Sequence, residues 1–373
     1  MKTTRRALAA ATVLLAVSLA ACGAIGSSGS SLGKKGGPVT LTVGYQPYYA
    51  ESWSGVILRA KQFWKRYLPK GSKVNFQVGL QGSVITSQML AGKEQIGYMG
   101  DMPAIVGASK RSTRDLRIVG TLGLASDQCA VFLVRKDAPN FANQAAAIKW
   151  MNGKTVSTPQ GSCTDRIAQA TFKKYGVKPK DYLNQSLDVI SSNFQKKKID
   201  AAIVWEPTAS RLVNAGLAKR VASGSLLGQQ EDAGFLVMSK QLIDQRPDVA
   251  QGWLKAELEA QRYLADPKNA SEIASIVKQD TQGFSERDLW DALYKNWPSD
   301  EGGDGGGVRI QLPFLVDGPV QSHIGAATSF LAGIKAIGSP TLPAGAVDNS
   351  IAAQVLGGAK TPGHVAALPG GPH

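Results

Sequence analysis

Two α/β lobes in series, each a mostly parallel sheet with helices on both faces, are what this sequence predicts. Three observations carry that expectation. The chain has 373 residues, 43% of them apolar, which fits two lobes of roughly 100–200 residues each better than one small domain. Strand and helix patterns alternate twice along residues 41–238 with short connections, the arrangement of parallel strands crossed over by helices. The tripeptide Gln-Gly-Ser stands after a strand and before a helix in both halves, at Gln81-Gly82-Ser83 and Gln160-Gly161-Ser162.

The first element is a leader. Lys2, Arg5 and Arg6 form a positive start, and Ala7–Ala21 is a short, mostly apolar run, the pattern of an export signal. It ends in Leu19-Ala20-Ala21-Cys22, which resembles the bacterial lipobox, where cleavage precedes the Cys and its thiol takes a diacylglycerol. Residues 1–21 are therefore expected to be removed and Cys22 to be lipidated; the weaker alternative is a plain secretory peptide. Residues 22–37, rich in Gly and Ser, read as a flexible tether. No apolar run reaches the ~18–20 residues that span a bilayer.

Leu41–Tyr45 alternates as a strand, and Trp53–Tyr67 carries apolar residues at helical spacing before Pro69-Lys70-Gly71 stops it. Val74–Val78, Ile96–Met99 and Leu116–Gly120 are further strands, with helices at Ser83–Ala91 and Met102–Ala108. A second unit has strands near Ala130–Val134, Thr155–Thr158, Leu187–Ile190 and Ala201–Val204, with helices at Cys163–Tyr175 and Thr208–Ala215. Glu231–Met238 restarts a strand, and helices follow at Val249–Ala265, Glu286–Lys295 and Gln321–Ile337. The division expected is 38–126 with 235–345 for the first lobe, 127–234 for the second, and 346–373 as a loose tail.

The formal charge is +14, but nucleic-acid binding is not expected. The basic residues are scattered, Lys196-Lys197-Lys198 being the longest run, and no aromatic-interleaved basic stripe occurs. An anionic membrane surface is the simpler counterpart. With three His and three Cys there is little material for a metal site, and none is expected, nor any cofactor. Cys129 and Cys163, left over once Cys22 is lipidated, are expected to pair in an oxidising compartment; the alternative is a reactive thiol, against which no His lies nearby.

Open α/β sheets bind ligands where strands end and helices begin, so those turns hold the candidate residues. At Gly82-Ser83 and at Gln160, Gly161 and Ser162, Gly permits close approach of the backbone and Ser caps a helix start that favours an anion. Thr164 and Arg166 follow within the first turn of the second copy. Two bland helix caps would explain the tripeptides equally well. Gly100-Asp101 ends another strand, with Asp101 a plausible cap. Trp205-Glu206 lies just beyond a strand, and Asp127 and Asp232 flank the two lobe crossings. Tyr45, Gln46 and Trp53 complete the candidate ligand set, with Tyr45, Trp53 and Trp205 as aromatic walls.

These motifs resemble those of the extracytoplasmic solute-binding proteins of ABC importers for sulfonates, taurine and nitrate, a group that includes binders of pyrimidine thiamine precursors. The likeness rests on the lipobox, Val43-Gly44-Tyr45, Leu90-Ala91-Gly92-Lys93 before Ile96-Gly97-Tyr98, and Gly100-Asp101 with Pro103. Gly153-Lys154-Thr155-Val156 leading to Gln160-Gly161-Ser162, and Ile199-Asp200-Ala201 leading to Val204-Trp205-Glu206-Pro207, extend it. The run Cys163-Thr164-Asp165-Arg166 departs from the commoner pattern, in which a second small residue follows the Ser. The resemblance implies a type II periplasmic-binding-protein fold with a cleft between the lobes, lined by Gly82-Ser83, Asp101, Ser162 and Trp205-Glu206. It implies a monomer without catalytic function that takes up a small sulfonate, taurine-like zwitterion or related anion and delivers it to a membrane permease driven by a separate ATPase. A ligand sensor, a pyrimidine binder and an enzyme on the same fold are the alternatives. The chain contains no Gly-x-x-x-x-Gly-Lys-[Ser/Thr] loop of its own.

Overall fold

The computed structural model describes residues 32–228, 232–303 and 305–372; the leader, Cys22 and Glu231 lie outside them. Strands β1 (Thr40–Tyr45), β2 (Lys73–Val78), β3 (Ile96–Gly100) and β4 (Leu116–Ala125) start the first sheet. The chain then builds a second sheet from β5 (Val131–Arg135), β6 (Thr155–Thr158), β7 (Asp181–Asn184), β8 (Ala201–Val204) and β9 (Ala218–Ser223). It returns to the first with β10 (Asp232–Ser239), β11 (Val308–Leu312) and β12 (Gly363–Ala366). The strand orders are β12-β11-β4-β10-β3-β1-β2 and β7-β6-β8-β5-β9.

The inner strands of both sheets are buried on both faces, which is why they read as apolar runs, whereas the edge strands β2 and β7 are largely exposed or half-buried. Along β10, Leu236 and Met238 join one core cluster and Phe235 and Val237 the other. Along β5, Val131 and Leu133 face one cluster and Phe132 and Val134 the opposite one. This period of two sends alternate side chains into separate helix layers.

The architecture is the two-sheet α/β one expected, but the sheets are mixed, not mostly parallel. β1 pairs parallel with β2 and β3, whereas β10 runs antiparallel between β3 and β4. The cause is the returning chain: β10 arrives from the other lobe and inserts head to tail. In the second sheet β6 is parallel to β7 and β8, while β5 is antiparallel to β8 and β9. Because β10 begins at Asp232, the return to the first sheet precedes the expected boundary at 235.

Other differences have local causes. Leu187–Ile190 is the start of a helix, Leu187–Gln195, following Ser186, and it buries Leu187, Ile190 and Phe194 at helical spacing; the strand of that region is β7. The helix expected over 53–67 breaks at Gln62, whose φ is +56°. The region 346–373 is not a loose tail. Ser350–Leu356 is a helix, and β12 pairs with β11 at the sheet edge. The described end of the tether is docked as well: the Arg246 guanidinium donates to the carbonyls of Leu32 and Gly37 and pairs with Asp248. Among the described residues no helix is long and apolar enough to cross a membrane.

Candidate functional site

Two helices begin at the mouth between the sheets, one from each repeat of Gln-Gly-Ser. Gly82–Leu90 starts after β2, and Cys163–Tyr175 after β6. The two glycines are there for different reasons. Gly161 has φ +74°, a left-handed conformation, whereas at Gly82 a Cβ would lie 2.5 Å from Pro103 Cγ, so a side chain there would force the neighbouring helix away. Neither helix has a capping side chain at its N-cap residue, Gln81 or Ser162. The Ser162 hydroxyl instead donates to the Pro159 carbonyl at 2.6 Å, so the expected serine cap is not made. Partly unsatisfied amides and the positive end of the helix dipole are left at both starts.

These two starts open on a cleft of about 310 Å³. From the first lobe it is lined by Gln46, Tyr49, Gln81, Gly82, Ser83, Thr86, Ser87, Gly100 and Asp101, with Leu90, Pro103, Val106 and Lys110 farther along. From the second lobe come Pro159 to Cys163 and Trp205. The cleft thus combines hydroxyl, amide and backbone donors with an apolar wall, the composition of an organic-ligand site. The Trp205 indole N–H donates to the Tyr48 carbonyl at 2.8 Å, which fixes its ring across the lobe boundary.

Of the expected ligand residues, Gln46, Gly82, Ser83, Gly100, Asp101, Gln160, Ser162 and Trp205 come together here. The others do not line this cleft. Tyr45 is buried in the core of the first lobe and donates to Asp280 at 3.1 Å. Trp53 is fully buried and donates to the Pro47 carbonyl at 2.8 Å, a core role. Glu206 lies 2.7 Å from Arg220 and accepts from the Ser210 amide, and Asp127 is paired with Arg309 and Arg220. Both acids are structural: each buried carboxylate is matched by a buried guanidinium. Thr164 supports the loop from behind, its hydroxyl 2.6 Å from those of Thr158 and Ser162.

Asp101 is the first residue of its helix, with Gly100 at the N-cap. One carboxylate oxygen accepts from the Met102 amide at 2.7 Å. The other lies 2.8 Å from His323 Nε2 and 3.6 Å from the Arg166 guanidinium of the second lobe. Burial opposes its charge, but the His323 hydrogen bond and the charges of His323 and Arg166 hold its pKa below the ordinary range. A second acid group lies beneath the cleft. The Tyr49 hydroxyl is 2.6 Å from Glu51 and 2.9 Å from Asp232. One O–H serves only one of them at a time, so the other contact needs a carboxyl proton. Burial, and then the charge of Asp232, raise Glu51 well above its usual value; burial and Asp101 push Asp232 up to about 7. The pair therefore carries a proton, and Asp232 lies beneath the cleft, outside its lining.

Cys129 and Cys163 are joined by a disulfide with Cα atoms 6.2 Å apart. It ties the segment leading into β5 to the first residue of the Cys163–Tyr175 helix. Tyr49, Thr86, Ser87 and His323 were missed in the sequence. Tyr49 is the residue before the 3₁₀ turn Ala50–Ser52 that follows β1, four residues from the expected Tyr45. Thr86 and Ser87 could have been found as the next turn of the Ser83 face, whereas nothing local ties His323 to Asp101.

The family model described as NMT1-like matches residues 34–278. No curated protein matches the sequence. Among solved structures, the alkanesulfonate-binding protein SsuA of Xanthomonas axonopodis pv. citri, bound to MOPS, aligns with a TM-score of 0.67 at 18% identity, covering 84% of this chain and 99% of that one. The periplasmic nitrate-binding protein NrtA of Synechocystis PCC 6803 aligns at 0.59 and 15% identity, covering 85% and 84%. The desulfurization enzyme DszB aligns at 0.62 and 14% identity, covering 86% and 99%. The shared fold thus hosts both binding proteins and an enzyme.

Proposed function

The chain belongs to the NMT1-like family, and from that premise we propose that it is the extracytoplasmic solute-binding component of an ABC importer for a small organic oxyanion of the sulfonate type. One observation carries this reading: two helix starts without side-chain caps, one from each lobe, open on the same cleft. Such ends favour sulfonate, carboxylate or nitrate oxygens. The structures of proteins named as alkanesulfonate and nitrate binders, although distant in sequence, share the fold.

Sulfonates rank above a zwitterion of taurine type. An ammonium would need an available carboxylate at the cleft, and Asp127, Glu206 and Asp232 are engaged elsewhere. Among the acids, Asp101 reaches the cleft; its charge is matched by Arg166, and it is hydrogen-bonded to His323. The apolar Leu90, Pro103, Val106 and Trp205 suit a carbon skeleton better than bare nitrate.

Binding, not catalysis, fits the lining. Cys163 is the cysteine at the cleft and is held in the disulfide, so it offers no nucleophilic thiol. In this reading ligand stabilises a closed arrangement of the lobes, Cys22 anchors the protein to the outer face of the membrane, and the closed form delivers its ligand to a permease driven by a separate ATPase. A thermal-unfolding screen with ethanesulfonate, taurine, nitrate and a neutral pyrimidine tests it. A ligand at 100 times its Kd adds about 2.7 kcal/mol; stabilisation by the pyrimidine and by none of the anions would overturn the reading.

A further inference from the structure

The lysines that are scattered along the sequence gather in the fold. Residues 127–228 hold 15 Lys and Arg against seven Asp and Glu, and strand direction decides where they stand. The cleft lies beyond the C-terminal ends of β6 and β8. The turns that enter these strands therefore lie at the opposite pole of the second lobe, together with the end of the antiparallel β5. Hydrogen bonds join those turns into one surface. The Gly153 amide donates to the Lys178 carbonyl at 2.9 Å and the Lys180 amide to the Lys154 carbonyl at 2.9 Å; the Arg135 amide reaches the Asp200 carbonyl at 3.0 Å and the Lys136 amide that of Leu217 at 3.1 Å. All but Arg166, Arg211 and Arg220 of the lobe's cations belong to that pole or to the helix ends beside it, where the acids are Asp137, Asp181 and Asp200.

Few of these charges are matched. Arg135 and Lys197 pair with Asp137, whereas Lys178, Lys180, Lys196 and Lys198 are exposed and have no ion-pair partner among the described residues. On the first lobe, by contrast, Lys61 pairs with Glu272, Arg66 with Glu259, Lys240 with Asp244 and Lys278 with Glu286. Attraction to a helix C-terminus accounts for Lys149, Lys173 and Lys174, which lie in last turns. It does not account for Lys154 and Lys180, which enter strands. Lys197 occupies a left-handed position, φ +54°, where Gly or Asn is usual. Trp150 stands half-buried in the same surface, with Lys154 Nζ 4.9 Å from its ring centre.

We propose that this pole of the second lobe docks on an anionic lipid surface. The chain itself commits the occupant. With Cys22 lipidated, ten residues separate the anchor from Leu32, a reach of at most about 35 Å. Leu32 and Gly37 are held by Arg246 close to the start of β1, at the end of the first lobe away from the cleft. Lipid at one pole and lysines at the other lay the molecule along the membrane, and the tether keeps the basic pole at high effective concentration beside the headgroups. An aromatic ring among lysines, as at Trp150, suits the headgroup layer.

Co-sedimentation of the mature Cys22→Ser chain, which carries no lipid, tests this. The vesicles are phosphatidylcholine alone and phosphatidylcholine with phosphatidylglycerol. The expected binding requires phosphatidylglycerol, weakens as salt is raised, and in Lys178→Gln/Lys180→Gln/Lys198→Gln drops about fivefold for each lysine removed. Lys255→Gln/Lys268→Gln/Lys360→Gln removes the same charge from exposed positions of the first lobe and leaves binding within about twofold. An equal drop in both variants reduces the effect to net charge and overturns the assignment to this pole. Binding to both kinds of vesicle alike, or to neither, overturns the lipid surface as its partner; binding to polyphosphate in place of vesicles does so in favour of a soluble polyanion.

Discussion

Arg166 of the second lobe lies 3.6 Å from the Asp101 carboxylate of the first, and both side chains are almost fully buried. This pair crosses the lobe boundary at the floor of the proposed ligand cleft. It makes the second-lobe helix start and the third strand end of the first lobe one electrostatic unit, and His323 completes it from the Gly318–Gly333 helix.

Asp101→Asn should therefore act in two opposite directions. Removing the charge from a buried pair leaves Arg166 without that counter-ion and lowers stability on the order of 3 kcal/mol, seen as a lower urea midpoint. The same change removes the one negative charge at the cleft, so ethanesulfonate should bind more tightly to the variant than to wild type. A loss of affinity for taurine that spares ethanesulfonate would instead assign Asp101 the reading of an ammonium.

The Glu51–Asp232 pair predicts a pH dependence of defined sign. Asp232 titrates near 7 in the folded protein against a reference of 3.8, so between about pH 4 and 7 the folded state holds a proton that the unfolded chain releases. Stability from this group falls as pH rises through that window and levels off above it. Asp232→Asn removes the effect, so its stability relative to wild type should be higher at pH 8 than at pH 5 in urea titrations. Asp101, with a lowered pKa, has the opposite sign: its contribution is present above its unfolded value and is lost only in more acid solution.

Breaking the Cys129–Cys163 bond should cost roughly 2–4 kcal/mol, the usual range for a loop of this order. It should also loosen the first turn of the Cys163–Tyr175 helix. Cys129→Ser/Cys163→Ser is expected to shift the urea midpoint down and weaken ethanesulfonate binding. Two thiols open to alkylation in the native protein, without prior reduction, would contradict the bond.

Anchoring at Cys22 predicts that Cys22→Ser moves the protein from the detergent phase to the aqueous phase on phase partitioning. Unchanged partitioning would contradict anchoring at Cys22.

What was legible in the sequence was what is decided locally. The two Gln-Gly-Ser turns, the strand ends around Gly100 and Ser162, and the helix Cys163–Tyr175 follow from turn chemistry and periodicity, which act over a few residues. The engagement of the acids was not legible because several of their partners are remote. Asp127 meets Arg309 across 182 positions, and Asp101 meets His323 across 222; no local pattern shows which carboxylates are already neutralised. β12 escaped for a related reason: Gly363–Ala366 is short and becomes a strand only by pairing with β11. The Leu187 region illustrates the ambiguity of short apolar runs, since its helical spacing becomes plain only when Phe194 is included.

The central claim is that an oxyanion is held between two helix starts, one from each lobe. A crystal structure of the mature protein with ethanesulfonate tests it most directly. The account predicts the sulfonate oxygens within hydrogen-bond distance of the first-turn donors at Ser83 and at Ser162–Cys163. A sulfonate bound away from both helix starts, with the cleft between Ser83 and Ser162 holding none, would contradict it.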